Sequence, residues 1–272
     1  MDPILIVKDF SCGYRSSGFR VEGVSFEIRE GEFVALLGSN GAGKSTLFKG
    51  LSGDIPLLSG EVIFRGKPLG QYSRGELARR LAVVSQFPEE AEVTAGEMVM
   101  MGRLPYRKRF SLLDSEEDLS KVRYYMEITG TIPLIDRQVL ELSGGERQMV
   151  AIASALAQEP SLILLDEPTS HLDLSHQIRF LELLKRLNRE KGLTVLLIIH
   201  DLNLASEYCD YLLLMSGGRV AFQGTPWETF TREKLEAVYG IPLLVEPNPR
   251  SGRPMALPAS GGGKDQERSA EG

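Results

Sequence analysis

Apolar positions along the chain fall into short unbroken runs that alternate with helical spacings. Phe33–Leu37, Leu162–Leu165 and Val195–Ile199 are continuously apolar, which is the look of parallel strands buried on both faces. His176–Glu190 places Ile178, Leu181, Leu184 and Leu187 at helical intervals. Ile4–Phe10, Gly23–Ile28 and Gly60–Arg65 carry strand patterns separated by turn residues, and Leu81–Val84 is a further short strand. Ser216-Gly217-Gly218 between Tyr211–Met215 and Arg219–Phe222 predicts a hairpin. Helices are predicted after Ser73-x-x-Glu76, after Thr94-x-x-Glu97 and after Thr225-Pro226-Trp227-Glu228, each a start signal with a capping residue. From about Pro88 to Pro160 the apolar runs give way to helical patterns, which predicts a helical insertion in an α/β core. From residue 247 the chain is rich in Pro, Gly and Ser, and 247–272 is expected to be a disordered tail.

Composition narrows the class without naming it. At 272 residues with a formal net charge of −6, the chain has ample length for a core and no general bias toward nucleic acid. Two isolated cysteines, Cys12 and Cys209, supply neither a disulfide framework nor a zinc site and fit a reducing compartment. No signal peptide is read at the start, and no apolar run reaches the length of a membrane span. Any membrane role is therefore expected to come through a partner.

The chemistry concentrates in Gly38-Ser-Asn-Gly-Ala-Gly-Lys-Ser-Thr46, a full match to G-x-x-x-x-G-K-[ST] between a predicted strand and a predicted helix. There the backbone N–H groups of Ser39, Asn40, Gly41, Ala42, Gly43 and Thr46 are candidates to turn on a polyphosphate at the positive end of a helix. Lys44 adds a point charge for the β- and γ-phosphates, and Ser45 a hydroxyl for Mg²⁺. Asp166 at the end of the second apolar run is a candidate Mg²⁺ ligand, and Glu167 a candidate general base. His200 ends the third run, where an imidazole either bonds a γ-phosphate or serves structure. Gln86 follows a short strand as a candidate contact to Mg²⁺ or water. Tyr14 is a loop aromatic that either stacks on a base or covers surface. Leu142-Ser-Gly-Gly-Glu-Arg-Gln148 begins as a capped helix, with Ser143, Gly144 and Gly145 exposing backbone N–H groups at its tip: a well-capped helix or a second anion site.

A phosphate loop, an L-S-G-G-E stretch and a strand ending in Asp-Glu together resemble the ATP-binding-cassette ATPases over about residues 4–245. The resemblance implies a P-loop α/β core with an N-terminal antiparallel β-subdomain and an inserted helical signature subdomain at about 88–160, all within 1–246. It implies ATP and Mg²⁺ as ligands, Tyr14 as the adenine-stacking aromatic and Gln86 as the Q-loop glutamine. It likewise makes Ser143–Gly145 the signature, Asp166 and Glu167 the Walker B pair, Asp173 part of the D-loop and His200 the switch histidine. Catalytic roles are thus expected for Glu167, His200, Lys44 and Gln86, and Mg²⁺ contacts for Ser45, Gln86 and Asp166. His171, Met149 and Ser154 depart from the commoner family residues. The family works as a dimer with ATP between the phosphate loop of one copy and the signature of the other. The residues themselves leave open that Ser143 faces its own loop.

Met98–Tyr106, Pro168–Gln177 and Ile199–Ala205 resemble the importers of iron-siderophores, haem and cobalamin, as does the stretch from Gly224 to Ile241. That likeness implies a polytopic permease partner, indirectly a substrate-binding protein, and a place at the cytoplasmic face of the membrane. The basic cluster Arg103, Arg107, Lys108 and Arg109 reads as a solvated loop or a docking surface in the subdomain facing the permease. The alternatives are an exporter ATPase or a soluble cassette acting on RNA, ribosomes or DNA. The short gap between phosphate loop and signature, and the single copy of each, weigh against the soluble types.

Overall fold

The computed structural model describes residues 2–13, 20–84, 92–107, 114–170 and 172–259. Its strands are β1 (Pro3–Gly13), β2 (Arg20–Arg29), β3 (Phe33–Gly38), β4 (Leu57–Phe64), β5 (Lys67–Pro68), β6 (Leu81–Val84), β7 (Leu162–Leu165), β8 (Thr194–Ile198), β9 (Tyr211–Ser216), β10 (Arg219–Gly224), β11 (Leu243–Pro247) and β12 (Pro254–Pro258). The helices are α1 (Lys44–Ser52), α2 (Arg74–Ala78), α3 (Ala95–Met101), α4 (Glu116–Ile128), α5 (Gly144–Ala157), α6 (Leu174–Lys191), α7 (Leu202–Tyr208), α8 (Pro226–Thr229) and α9 (Arg232–Tyr239).

A six-stranded sheet in the order β10-β9-β3-β8-β7-β6 forms the centre; all its pairs are parallel except the edge pair β9–β10. β3 lies between β8 and β9, with Ala35 opposite both Leu197 and Leu212. Its burial on both faces explains the unbroken apolar run. Side chains alternate between faces with period two. Ala35, Leu37, Ile163, Leu165 and Leu197 therefore pack toward α5 and α6, with Ala151, Phe180 and Leu184. Val34, Leu36, Leu164 and Ile198 face the other way, onto Leu47 and Leu51 of α1 and the side chains of β1 and β2. Those last strands belong to a second sheet, β2-β1-β4-β5, whose pairs are all antiparallel.

Between β6 and β7 the described residues hold α3, α4, α5, short 3₁₀ turns and one isolated bridge, Thr94–Gln138. Val99, Val122, Met126, Val150 and Ala153 give these helices a core of their own. α3 and α5 approach closely at Gly102, where a Cβ would lie 2.1 Å from the Ser154 carbonyl oxygen. Ser154 also donates through Oγ to the Met98 carbonyl at 2.8 Å, so its departure from the family residue is absorbed in this contact.

Two expectations are corrected. Residues 247–259 are not a disordered tail: β11 and β12 pair from Leu243↔Pro258 to Pro247↔Pro254, and Leu243 and Ala256 are buried. Pro and Gly in that stretch build a turn, which composition alone does not distinguish from disorder; residues 260–272 lie outside the described residues. Arg103 is no part of a surface cluster. It is 3% exposed, with Nε 2.9 Å from Asp118 and Nη1 2.9 Å from Glu159 and 2.7 Å from the Ala157 carbonyl. Arg107 pairs with Asp114, and Lys108 and Arg109 lie outside the described residues.

Candidate functional site

The site lies where the central strands end. β3 stops at Gly38, whose Cβ, if it had one, would sit 2.4 Å from the Met215 carbonyl oxygen, so glycine is required. Gly41 and Gly43 then take left-handed backbone angles, φ +79° and +102°, and turn the chain into α1. Gly43 is the N-cap of α1 and brings no side chain to bond the first-turn N–H groups. Those donors, together with the helix dipole, are left to an anion. Lys44 is buried, and its Nζ donates to the Gly38 carbonyl at 2.8 Å and the Ser39 carbonyl at 3.1 Å. Burial holds its pKa below the ordinary value, against the pull of Glu167 and Asp166.

β7 delivers the two carboxylates. Asp166 N–H donates to the Val84 carbonyl at 2.9 Å, which continues the sheet ladder and fixes the residue at the strand end. Its Oδ1 stands 3.5 Å from Ser45 Oγ, long for a hydroxyl–carboxylate bond. Burial, then the neighbouring Glu167, pushes the Asp166 pKa up. Two hard oxygens at this spacing suit Mg²⁺, which takes one or two protein oxygens and completes its shell with phosphate and water. Among the described residues no group of three or more His, Cys, Asp or Glu forms an all-protein metal cage. Glu167 has φ +49°, uncommon for a residue with a side chain. Its Oε1 lies 2.8 Å from His200 Nε2. A cleft of about 420 Å³ is lined by Asn40, Gly41, Gly43, Lys44, Ser45, Thr46 and Glu167.

Ser143, Gly144 and Gly145 are not among the residues lining that cleft. Ser143 caps α5 reciprocally: its Oγ accepts from Glu146 N–H at 3.3 Å, and Glu146 Oε2 accepts from Ser143 N–H at 2.8 Å. The helix tip instead adjoins the first turn of α6 and the segment before it, since a Cβ on Gly145 would touch His176 and Leu172 at 3.5 Å. Asp173 N-caps α6, accepting from His176 N–H at 2.9 Å, with the His176 ring at 2.9 Å as well. The backbone bond most of all, then one from the Ser175 hydroxyl at 2.8 Å and the ring bond, hold its carboxyl far below the usual range.

The structure thus gathers Ser39–Thr46, Asp166, Glu167 and His200 in one place, and Ser143–Gly145 with Asp173 in another. Tyr14, Gln86 and His171 lie outside the described residues. Sequence reasoning passed over Gln177, whose Nε2 donates to the Thr169 carbonyl at 3.1 Å and the Leu172 carbonyl at 2.8 Å. It ties down the backbone that follows Glu167. The only signal was its place one turn after the Asp173 cap.

A strand, phosphate loop and helix with Asp-Glu on a parallel strand and a histidine after the next define a P-loop nucleoside triphosphatase. The comparisons name the family. The sequence profile described as "ABC transporter" matches residues 21–170. The chain is 41% identical over 238 residues to the ferric enterobactin transport ATP-binding protein FepC of Escherichia coli (strain K12), covering 87% of this chain and 88% of that one. It is 42% identical over 246 residues to the hemin import ATP-binding protein HmuV of Streptomyces coelicolor, covering 88% and 84%. A solved ABC transporter in an inward-facing conformation superposes with a TM-score of 0.81 at 28% identity, covering 95% of this chain and 98% of that one. A dimeric bacterial ABC transporter cassette gives 0.71 at 29% identity, covering 81% and 98%. This chain belongs to the ABC transporter family and is one of its ATP-hydrolysing subunits.

Proposed function

We propose that this chain is the ATPase of an importer for an iron chelate, an iron-siderophore or haem, with cobalamin-type cargo in the same class. The observation that carries the reading is that relatives named for ferric enterobactin and hemin align along nearly their whole length at about two residues in five. In this reading the chain sits on a polytopic permease at the cytoplasmic face of the membrane, fed by a substrate-binding protein. Among the described residues no helix is long and apolar enough to cross a membrane, so the permease carries the pathway.

The residues act in sequence. The loop N–H groups and the Lys44 ammonium bind the β- and γ-phosphates, and lowered Lys44 hydration strengthens that attraction. Ser45 and Asp166, with Gln86, would hold Mg²⁺, which when bound neutralises phosphate charge. Glu167 orients the attacking water and accepts its proton, while His200 holds the Glu167 carboxylate and donates toward the γ-phosphate. Tyr14 stacks on the adenine. Ser143–Gly145 of a second copy close over the γ-phosphate, and Asp173 lies beside that closing tip. The separation of the signature from its own chain's cleft supports this shared arrangement.

Purification of the tagged chain from mildly solubilised native membranes tests the assignment. Co-elution of a polytopic permease is expected, and cells carrying Glu167→Gln should lose uptake of a radiolabelled iron chelate. In the purified chain that variant should hydrolyse ATP about 10²–10⁴-fold more slowly while still binding it. Recovery of ribosomal or DNA-associated proteins in place of a permease would leave the ATP chemistry and remove the transport reading.

A further inference from the structure

The terminal hairpin grips the helix that carries the strand-end histidine. His200 is joined to α7 through Asp201, whose carboxylate caps that helix by accepting from Asn203 N–H at 2.8 Å and Leu204 N–H at 2.9 Å. The position of the His200 backbone is therefore tied to that of α7. α7 has seven residues, of which only Ala205 and Ser206 are buried. A helix that short has little stability of its own.

β12 and the turn before it supply what α7 lacks. Asn203 meets Ala256 as a strand would: its Nδ2 donates to the Ala256 carbonyl at 3.2 Å and its Oδ1 accepts from Ala256 N–H at 2.8 Å. Ser206 Oγ, fully buried, donates to the Pro254 carbonyl at 2.6 Å. Glu207 Oε2 accepts from Ser251 Oγ at 2.7 Å. Residues 203, 206 and 207 share one helix face. At the far end Arg253 Nη1 donates to the carbonyls of Ser206 and Cys209 at 2.7 and 2.6 Å. The Ser206 carbonyl has no helical donor, because Asp210 N–H turns away to the Phe33 carbonyl at 2.7 Å. The hairpin thus holds α7 at its start, along its face and at its end.

We propose that the β11–β12 hairpin is a clamp that sets His200 against Glu167 through α7, making Asn203, Ser206 and Arg253 positioning residues for ATP hydrolysis. The proposal rests on the reading that His200 acts in hydrolysis. Asn203, Ser206 and Arg253 are not among the residues lining the phosphate-loop cleft, so loosening their bonds to α7 is expected to free the histidine with the nucleotide cradle left in place. Loss of a correctly placed partner costs turnover while ground-state binding is kept.

The test is steady-state ATP hydrolysis by the full chain carrying Asn203→Ala, read beside binding of a fluorescent ATP analogue. kcat is expected to fall about tenfold, with KM and analogue binding unchanged. In a His200→Ala background the same substitution should leave the residual single-turnover rate unchanged, because the group it positions is gone. Equal losses in both backgrounds would mean a general effect on folding and would overturn the clamp. Wild-type kcat in Asn203→Ala beside a reduced kcat in His200→Ala would overturn the clamp and spare the histidine. Wild-type kcat in His200→Ala would overturn both. Ser206→Ala adds no volume and deletes one bond; it carries the same comparison should Asn203→Ala fail to fold.

Discussion

Asp166 is a carboxylate that folding does not favour in its charged form. Burial and the adjacent Glu167 raise its pKa above the ordinary value. The sign follows: the penalty is absent at pH below the unfolded-state pKa and complete above the folded one. At neutral pH, Asp166→Asn should therefore raise the melting temperature of the nucleotide-free chain while weakening its Mg²⁺-dependent ATP binding. Calorimetric scans with and without Mg-ATP would check it, and a lowered melting temperature without nucleotide would count against it. This trade was half legible in the sequence. Asp-Glu after a four-residue apolar run marked a candidate ligand at a strand end. Its electrostatic discomfort depends on how deeply Asp166 sits and on Lys44 being drawn to carbonyls, which no linear pattern records.

Among the elements, those whose fate is decided locally were readable. The caps at Ser73, Thr94 and Ser143 all form, each with its glutamate three residues on. β3, β7 and β8 lie where apolar runs predicted them. Partners distant in sequence were not readable, and Arg103 shows why. Its neighbours suggested a basic surface, whereas Asp118 and Glu159, brought in by α4 and the end of α5, take it inside. Burial opposes both carboxylates, but hydrogen bonds outweigh it: Ser115 and Arg103 at Asp118, Lys121 and Arg103 at Glu159, holding both pKa values down. Their contribution is present above the unfolded carboxylate pKa and is lost as pH falls through the folded values. Arg103→Leu leaves Asp118 and Glu159 without their shared cation and should cost about 3–5 kcal/mol in urea unfolding at pH 7. The difference from wild type should shrink in acid. A constant difference across pH would assign the loss to packing instead.

At the scale of the whole molecule, the central sheet places one set of candidate site residues at its strand ends and α5 carries the other to a separate tip. Ser143→Arg should leave ATP binding by the single chain intact and prevent ATP-dependent pairing of two copies, seen by light scattering with a hydrolysis-deficient background. Pairing that persists would mean the tip is not the closing surface. The layout also has a genetic consequence. When each cleft is finished by a neighbour's tip, a defective chain disables the partner it meets as well as itself. In a cell expressing intact copies together with copies whose tip is altered but which still assemble in pairs, the fully intact pairs decline as the square of the intact fraction, so such an allele behaves as dominant rather than silent.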